Sequence, residues 1–542
     1  MSVAKKWIGK SVLRKEDKRL LTGSGRYVDD VRLPNTLHMA VLRSAHAHAR
    51  FRLDISEALG MPGVKQVITA AELPAELNTL PVLYRVKGQK SIEFPVLPTQ
   101  KAVYVGQALA VVVADSRYQA EDAVDAIQVS YEPLTVISDV EQAVAPDAPR
   151  IYEDWEDNIA NRLQIQHGDV QSAFAAADLI IEETFRIGRS SAIPMETRGI
   201  VAQYDKYNQM LSVWYSTQAP HQFRTEISKI LGIGEHQIRV YTGDVGGGFG
   251  NKLHIYPEDL LVCWLAMKLD RPVKYIEDRR EHLMSTVHSR QQVHKVRAAF
   301  KKDGTLLALE NTILSDQGAH LHTKGSGPSF LTARMMSGSY RIPVISVEVL
   351  GVVTNKVPFG AYRGFGQPQA VFVIEQLMNR AADRLGLDPV EIRRRNLIRP
   401  DELPYRTATG MNYDSGDYIQ ALDRLLDTIN HTDLAVEKER AAQRGKRLGV
   451  GITFNVECGG FGPSRVLEKM GQNQGGFETA LVRMDPSGNV TAFTGIVVIG
   501  QGAETTLAQI CADILGVDLS AVKVVHGDTE LCPYSGYGSA GS

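Results

Sequence analysis

Residues 243–252 read GDVGGGFGNK, and five of these ten positions are glycine. The stretch begins at the end of the strand-like run IRVYTG, and one aromatic residue, Phe249, stands among the glycines. A glycine has no side chain to pack and loses more backbone entropy on folding than other residues. The sequence therefore predicts a loop whose backbone lies so close to a neighbouring group that side chains would obstruct it.

Three further segments share this composition: GAYRGFGQPQ (360–369), IGQGAETT (499–506) and SGYGSAGS (535–542). The loops at 243, 360 and 499 each follow an extended apolar run, and the latter two lead into a predicted helix. A helix N-terminus presents free N–H groups and the positive end of a dipole, which suits phosphate or another anion. One such loop alone is more simply a tight turn, but their recurrence favours ligand binding.

Standard nucleotide and hydrolase motifs fit this chain poorly. Gly536, Gly538 and Gly541 match G-x-G-x-x-G, but the sequence ends before the helix that a dinucleotide fingerprint needs. Lys252 follows Asn251, where a P-loop needs glycine, and there is no G-x-S-x-G or H-E-x-x-H. A nicotinamide dehydrogenase or an NTPase is therefore the weaker alternative.

The composition is that of an ordinary globular protein. The chain has 542 residues, 44% hydrophobic and 23% charged, with a formal net charge of −2, so no nucleic-acid partner is indicated. No apolar run reaches the length of a membrane span, and the basic N-terminus lacks a signal peptide, which favours a cytoplasmic location. The four cysteines form no C-x-x-C pair, so no zinc or iron–sulfur site is expected from this chain.

The order of apolar patterns predicts a mixed α/β chain of the α+β class. It divides into an N-terminal arm (1–25), a compact α/β unit (26–135), a linker (136–160), a long α+β region (161–430) and a second α+β region (447–542). The last region stops on a glycine-serine loop directly after a core strand. It is therefore interpreted as half of a domain that continues on another polypeptide, with a frayed tail as the alternative.

In this order and spacing, GDVGGGFGNK, AYRGFGQPQ and IGQG resemble the molybdenum-binding large subunit of the xanthine dehydrogenase/aldehyde oxidase/carbon monoxide dehydrogenase family. Residues 9–49 resemble that family's α/β hammerhead domain, and the resemblance covers essentially the whole chain. It implies a hammerhead domain followed by molybdopterin-binding α+β domains, the last of them incomplete. It also implies a molybdenum hydroxylase whose cofactor is molybdopterin with Mo, in bacterial members often as the cytosine dinucleotide.

The resemblance implies catalytic roles for three residues. Gln218, in WYSTQAP, matches the glutamine that hydrogen-bonds the apical oxo ligand. Arg363 matches a contact to the pterin, and Phe365 matches the aromatic residue that stacks on the substrate. Taken from the residues alone, Gln218 instead caps the helix near residue 221, Arg363 forms a structural ion pair and Phe365 belongs to the core.

Further cofactor contacts follow from the same resemblance. The glycine loops place backbone against the oxo group and the pterin, and one side-chain amide and the last two residues add contacts. With Gln218 and Arg363, the implied set comprises Gly247, Gly248, Phe249, Gly250, Gln501, Gly541 and Ser542.

Two leucines distinguish the implied substrate pocket from that of purine oxidisers. Leu253 stands where those members carry a glutamate, and Leu331 stands where they carry an arginine. Unpaired polar edges are costly to bury, so a pocket of Leu253, Leu331 and Phe365 favours an aldehyde or an N-heteroaromatic ring over a purine. The carbon monoxide oxidisers have a cysteine-containing loop where Gly364-Phe365-Gly366 stands here, which argues against carbon monoxide.

The catalytic base and the electron relay are expected on other chains. The family's base is a glutamate in a G-V-G-E segment, whereas the GVG at 449–451 is followed by Ile452. We therefore expect a second molybdenum-subunit chain that carries this glutamate, with a truncated, non-catalytic cofactor-binding fragment as the alternative. The implied reaction is hydroxylation of a small-molecule substrate with water as the oxygen source, and its electrons leave through a [2Fe-2S] subunit and an FAD subunit.

Overall fold

The structure is a computed structural model that describes residues 6–90, 92, 94–460, 464–469 and 476–539. Gly541 and Ser542, two of the predicted cofactor contacts, lie outside the described residues. The α-helices are Asp17–Leu21 (α1), Ser56–Gly60 (α2), Arg117–Asp125 (α3), Val140–Ala143 (α4), Val170–Ala175 (α5), Pro220–Leu231 (α6), Pro257–Leu269 (α7), Arg279–Ser285 (α8), Gly327–Arg334 (α9), Gln367–Leu385 (α10), Pro389–Asn396 (α11), Tyr418–Thr428 (α12), Leu434–Gln443 (α13), Ser464–Lys469 (α14) and Ala503–Leu515 (α15).

The β-strands alternate with these helices, which confirms the predicted mixed α+β class. The first twelve are Leu37–Arg43 (β1), Ala49–Asp54 (β2), Val64–Ile68 (β3), Thr79–Leu80 (β4), Phe94–Pro95 (β5), Lys101–Ala102 (β6), Ala108–Ala114 (β7), Gln128–Pro133 (β8), Ile159–His167 (β9), Leu179–Ile187 (β10), Ser190–Ser191 (β11) and Gly199–Asp205 (β12). The next twelve are Met210–Tyr215 (β13), Ile238–Tyr241 (β14), Val273–Ile276 (β15), His288–Ser289 (β16), Gln292–Phe300 (β17), Leu306–Gly318 (β18), Val344–Val353 (β19), Tyr405–Arg406 (β20), Asn412–Tyr413 (β21), Ala480–Met484 (β22), Val490–Thr494 (β23) and Val522–Val525 (β24).

A seven-stranded sheet joins the N-terminal third of the chain to the middle. Its order is β14-β13-β12-β15-β1-β7-β3, with β1 parallel to β15 and antiparallel to β7. All seven residues of β7 (ALAVVVA) are buried, as is typical of a strand covered on both faces. The predicted divisions after residues 135 and 160 thus separate segments whose strands share one sheet, and the domain limits stay a prediction.

A five-stranded sheet, β10-β17-β18-β19-β9, forms the second core. Helix α10 begins directly after the GFG turn and buries Ala370, Val373, Leu377 and Ala381. These positions recur every three or four residues, so one face of α10 packs on the sheet. The sheet thereby fixes the position of the glycine turn that precedes the helix.

The C-terminal region is a three-stranded sheet, β22-β23-β24, with α15 against it. The predicted N-terminal arm packs on this helix: Gln509 Nε2 donates to the carbonyl of Trp7 at 2.7 Å, and Asp513 accepts from the Ile8 N–H at 2.9 Å. All five residues of β22 are exposed. Among the described residues, no helix is both long and apolar enough to cross a bilayer.

Candidate cofactor and substrate site

The glycine loops meet at a cavity of about 1680 Å³. Most of the predicted site residues that the structure describes line it, although they come from distant parts of the sequence. They are Gln218, Gly247, Phe249, Gly250, Leu253, Leu331, Arg363, Phe365 and Gln501. The structure therefore brings together residues that the sequence alone left separate.

The first glycine loop adopts backbone angles that favour glycine. Gly247 has φ +88° and Gly250 has φ +110°, while Phe249 takes φ +55°, which is uncommon for a residue with a side chain. A Cβ atom on Gly250 would lie 2.5 Å from the carbonyl oxygen of Ala361. The second glycine loop therefore approaches this backbone closely, and the exposed Phe249 ring is held at the cavity by an unfavourable local conformation.

Gln218 links the first loop to the C-terminal glycine segment. Its Oε1 accepts from the Gly250 N–H at 2.9 Å, and its Nε2 donates to the Ser539 carbonyl at 3.1 Å. A Cβ atom on Gly248 would lie 2.4 Å from the same Oε1. The N-cap of α6 is Ala219, so the alternative that Gln218 caps this helix is wrong.

Glu196 fixes both ends of the first loop. Its Oε2 accepts from the Gly246 N–H at 2.8 Å and from Lys252 Nζ at 2.7 Å. Lys252 is itself buried. A buried ion pair that also bonds the backbone holds a loop in one conformation, because breaking it would leave an unpaired charge inside the protein. Glu196 and Lys252 thus position the loop without lining the cavity.

The second glycine loop carries Arg363 and Phe365 into the cavity. The Arg363 N–H donates to the Phe249 carbonyl at 2.9 Å, and its side chain is exposed with no carboxylate of the described residues at ion-pair distance. Phe365 is half-buried against a small apolar cluster of Ala219, Leu253 and Ala361. The ring therefore forms part of an apolar cavity wall rather than a central core.

The third loop places Gln501 at the cavity, but both polar atoms of its side-chain amide form hydrogen bonds to nearby backbone. Its Oε1 accepts from the Ile499 N–H at 2.6 Å, and its Nε2 donates to the Val497 carbonyl at 3.0 Å. The side chain thereby closes its own turn. The role of Gln501 as a cofactor amide stays a prediction.

Sequence reasoning missed one buried charge in this wall. Lys324 stands in TKGSGP just before α9, is 7% exposed, and donates from Nζ to Gln222 Oε1 at 2.8 Å. Burial lowers the pKa of Lys324 to about 8, against the opposing influence of Glu226. The glycines beside Lys324 were the sequence feature that could have marked this segment as a candidate site. Only the fold shows that the segment reaches the cavity.

The cavity fits a large anionic cofactor. Its five cationic side chains outnumber the two carboxylates among the described lining residues, and glycines of three loops line the cavity without a side chain. Backbone N–H groups and cationic side chains are the groups that hold phosphate. The cations are Arg85, Lys229, Lys324, Arg334 and Arg363, and the carboxylates are Glu226 and Glu457. This arrangement suits a phosphate-bearing cofactor beside an apolar pocket.

Three domain families match the chain in the predicted order. Residues 22–135 match the aldehyde oxidase and xanthine dehydrogenase a/b hammerhead domain, and residues 151–397 and 424–542 each match a molybdopterin cofactor-binding domain.

Relatives extend this similarity over almost the whole chain. It is 38% identical to the carbon monoxide dehydrogenase large chain of Afipia carboxidovorans, over 98% of this chain and 67% of that protein. It is 35% identical to the nicotine 6-hydroxylase large subunit of Paenarthrobacter nicotinovorans, over 99% of this chain and 65% of that protein. Quinoline 2-oxidoreductase from Pseudomonas putida 86 has a TM-score of 0.92 and 40% identity, over 99% of this chain and 68% of that one.

These similarities confirm the predicted family: the chain belongs to the molybdenum-binding large subunits of the xanthine dehydrogenase family. It spans about two thirds of the length of the relatives it matches.

Proposed function

We propose that this chain is the molybdopterin-binding subunit of a multi-subunit hydroxylase that oxidises an aldehyde or an N-heteroaromatic compound with water as the oxygen source. One observation carries the proposal: the glycine loops and Gln218 meet at the same cavity as the apolar side chains of Leu253, Leu331 and Phe365. The names of two relatives, nicotine 6-hydroxylase and quinoline 2-oxidoreductase, support an N-heteroaromatic substrate class.

In this proposal the backbone of Gly247 to Gly250 and the side chains of Arg363 and Gln501 hold molybdopterin, in its cytosine dinucleotide form. The excess of cationic side chains around the cavity supports a phosphate-bearing form of the cofactor. When bound, the cofactor supplies a metal that accepts the electrons of the oxidation. The chain's own contribution is to bind and orient, with Gln218 fixed between two loops on the cofactor side and Phe365 stacking on the substrate ring.

The general base is proposed to come from a partner chain. The two carboxylates among the described lining residues are engaged or exposed: Glu226 pairs with Lys229 at 2.7 Å, and Glu457 is exposed beside Cys458. A general base needs to reach the reacting proton from a protected position. We therefore infer a glutamate on a second molybdenum-subunit chain, and iron–sulfur and FAD subunits that carry electrons away.

Elemental analysis of the protein purified gently from its native host tests this function. We expect near-stoichiometric molybdenum, together with co-purifying chains whose masses identify iron–sulfur and flavin subunits and a chain with a G-V-G-E segment. Such a preparation should oxidise quinoline or an aromatic aldehyde with incorporation of oxygen from labelled water. Absence of both molybdenum and these companions would instead identify the chain as a non-catalytic cofactor-binding fragment.

A further inference from the structure

Lys324 is a buried cation in the wall of the large cavity. It is 7% exposed and, unlike the other buried lysines Lys252 and Lys274, it lines the cavity directly. An ammonium group carries three donors, and the structure shows one of them used, by Gln222 Oε1 at 2.8 Å. Nζ also lies 5.6 Å from the centre of the Tyr537 ring, at the outer limit of a cation–π contact.

The charge of Lys324 has no carboxylate partner within 4 Å among the residues that the structure describes. Glu226, the carboxylate that raises the pKa of Lys324, is paired with Lys229 Nζ at 2.7 Å. Of these three described side chains, two are cations and one is a carboxylate. A buried charge without a partner is costly, and a bound anion removes that cost.

Lys324 stands just before a helix that lines the proposed substrate pocket. Gly327, three residues later, begins α9, and a Cβ atom there would lie 2.9 Å from the Phe365 ring and 3.5 Å from the Tyr84 ring. Leu331, on the next turn of α9, lines the same cavity. The segment that carries Lys324 thus leads into a helix that packs against Phe365 and contributes Leu331 to the proposed substrate pocket.

We propose that Lys324 binds a carboxylate on the substrate, so that the preferred substrate is an aromatic or heteroaromatic ring that carries one anionic group. This inference rests on the proposed function, since it names the substrate class of the same pocket. A buried cation in this part of the wall, beside the Tyr537 ring, pairs with one negative charge on a flat apolar body. The phosphates of the cofactor are the competing anion, and the short stretch of chain from Lys324 to the cavity-lining residues Gly327 and Leu331 favours the substrate.

Binding of a matched pair of probes tests the proposal. Quinoline-4-carboxylate and quinoline-4-carboxamide have almost the same shape and differ in charge, and their dissociation constants are measured by calorimetry on the native complex. We expect the wild type to bind the carboxylate about 10- to 100-fold more tightly, as is typical of a buried charged hydrogen bond. Lys324→Met should abolish this preference, and Lys324→Arg should keep part of it.

Lys268→Met is the matched control, because Lys268 also lies over an aromatic ring, that of Trp264, but is exposed and outside the cavity. It should leave the preference unchanged. Equal affinity of the wild type for the two probes, or an unchanged preference in Lys324→Met, would overturn the proposal.

Metal content separates this inference from the proposed function. Wild-type protein that contains molybdenum and oxidises the carboxamide as well as the carboxylate keeps the function and refutes the role of Lys324. Protein without molybdenum that still prefers the carboxylate, and loses the preference in Lys324→Met, keeps the binding site and refutes the function. A loss of molybdenum and pterin in Lys324→Met would assign the lysine to the cofactor and overturn its role in substrate binding.

Discussion

At the scale of single residues, the site depends on glycines, whose lack of a side chain leaves room for neighbouring groups. Gly248 leaves space for Gln218 Oε1, which would otherwise lie 2.4 Å from a Cβ atom. That space allows Gln218 to accept from the Gly250 N–H and to donate to the Ser539 carbonyl. The glycines of the first loop therefore shape the site partly by admitting neighbouring protein groups.

Gly248→Ala should displace Gln218 and loosen both loops that it links. We expect the variant to remain folded but to retain less than about a tenth of the molybdenum of the wild type, because a misplaced loop no longer presents its N–H groups to the cofactor. Elemental analysis and thermal unfolding would measure the two effects separately. The control is Gly60→Ala, since Gly60 ends α2 with nothing within 4 Å of its Cβ position. Full metal content in Gly248→Ala would refute the role given to this contact.

Some residues of the site could be predicted from the sequence and others could not. The glycine loops were recognisable because so many glycines in a short stretch indicate a structural requirement. The resemblance to the family then assigned a role to each loop. Lys324 was not recognisable, since its importance depends on burial by Tyr537 and Gln222, which lie far away in sequence. The positive φ of Phe249 is likewise a result of tertiary contacts that no local pattern records.

At the scale of elements, the N-terminal arm connects two glycine loops. Arg19, in α1, lies 2.7 Å from Asp244 of the first loop and 2.6 Å from Glu504 in the first turn of α15. The third glycine loop ends where α15 begins. One guanidinium therefore links the first glycine loop to the helix that follows the third glycine loop.

Arg19→Met should separate α15 from the first loop. Removing the guanidinium leaves two carboxylates facing each other, and we expect a loss of about 1 to 2 kcal/mol, reduced from the value for a buried pair because Arg19 is one-third exposed. Hydrogen exchange of the α15 amides should rise, while exchange in α10 should not. Arg117→Met, which removes an exposed pair with Glu121 within one helix, should cost less than about 0.5 kcal/mol. Equal costs for the two variants would contradict the bridging role.

At the scale of the whole molecule, the seven-stranded sheet makes the N-terminal third dependent on the middle of the chain. Leu37, Met39 and Val111 pack in the same core cluster as residues of β12, β13 and α7. The apolar run of β7 could be recognised from sequence as a strand, although its burial is known only from the structure. The pairing of β1 with β15 could not be predicted, because the partner of a strand leaves no local signal when it lies hundreds of residues away.

A fragment of residues 26–135 should therefore not fold into a stable unit. Without β12 and β15, one edge of β1 and the apolar face formed by Leu37, Met39 and Val111 would be exposed to water. We expect the fragment to aggregate or to bind hydrophobic dyes, with no cooperative thermal transition. A fragment of residues 6–430, which restores this sheet and keeps the five-stranded sheet complete, should be soluble by comparison. A monomeric, cooperatively unfolding 26–135 fragment would show that the segment is an autonomous domain.

The same sheet imposes a delay during synthesis, because two of its paired strands lie far apart in the sequence. Leu37 pairs with Val273, roughly 240 residues later, and a ribosome adds about 5 to 20 residues per second. Strand β1 therefore leaves the ribosome about 10 to 50 s before its parallel neighbour exists. During that interval the nascent chain carries unpaired strand edges and exposed apolar side chains. We therefore expect it to bind chaperones before it can bind a cofactor.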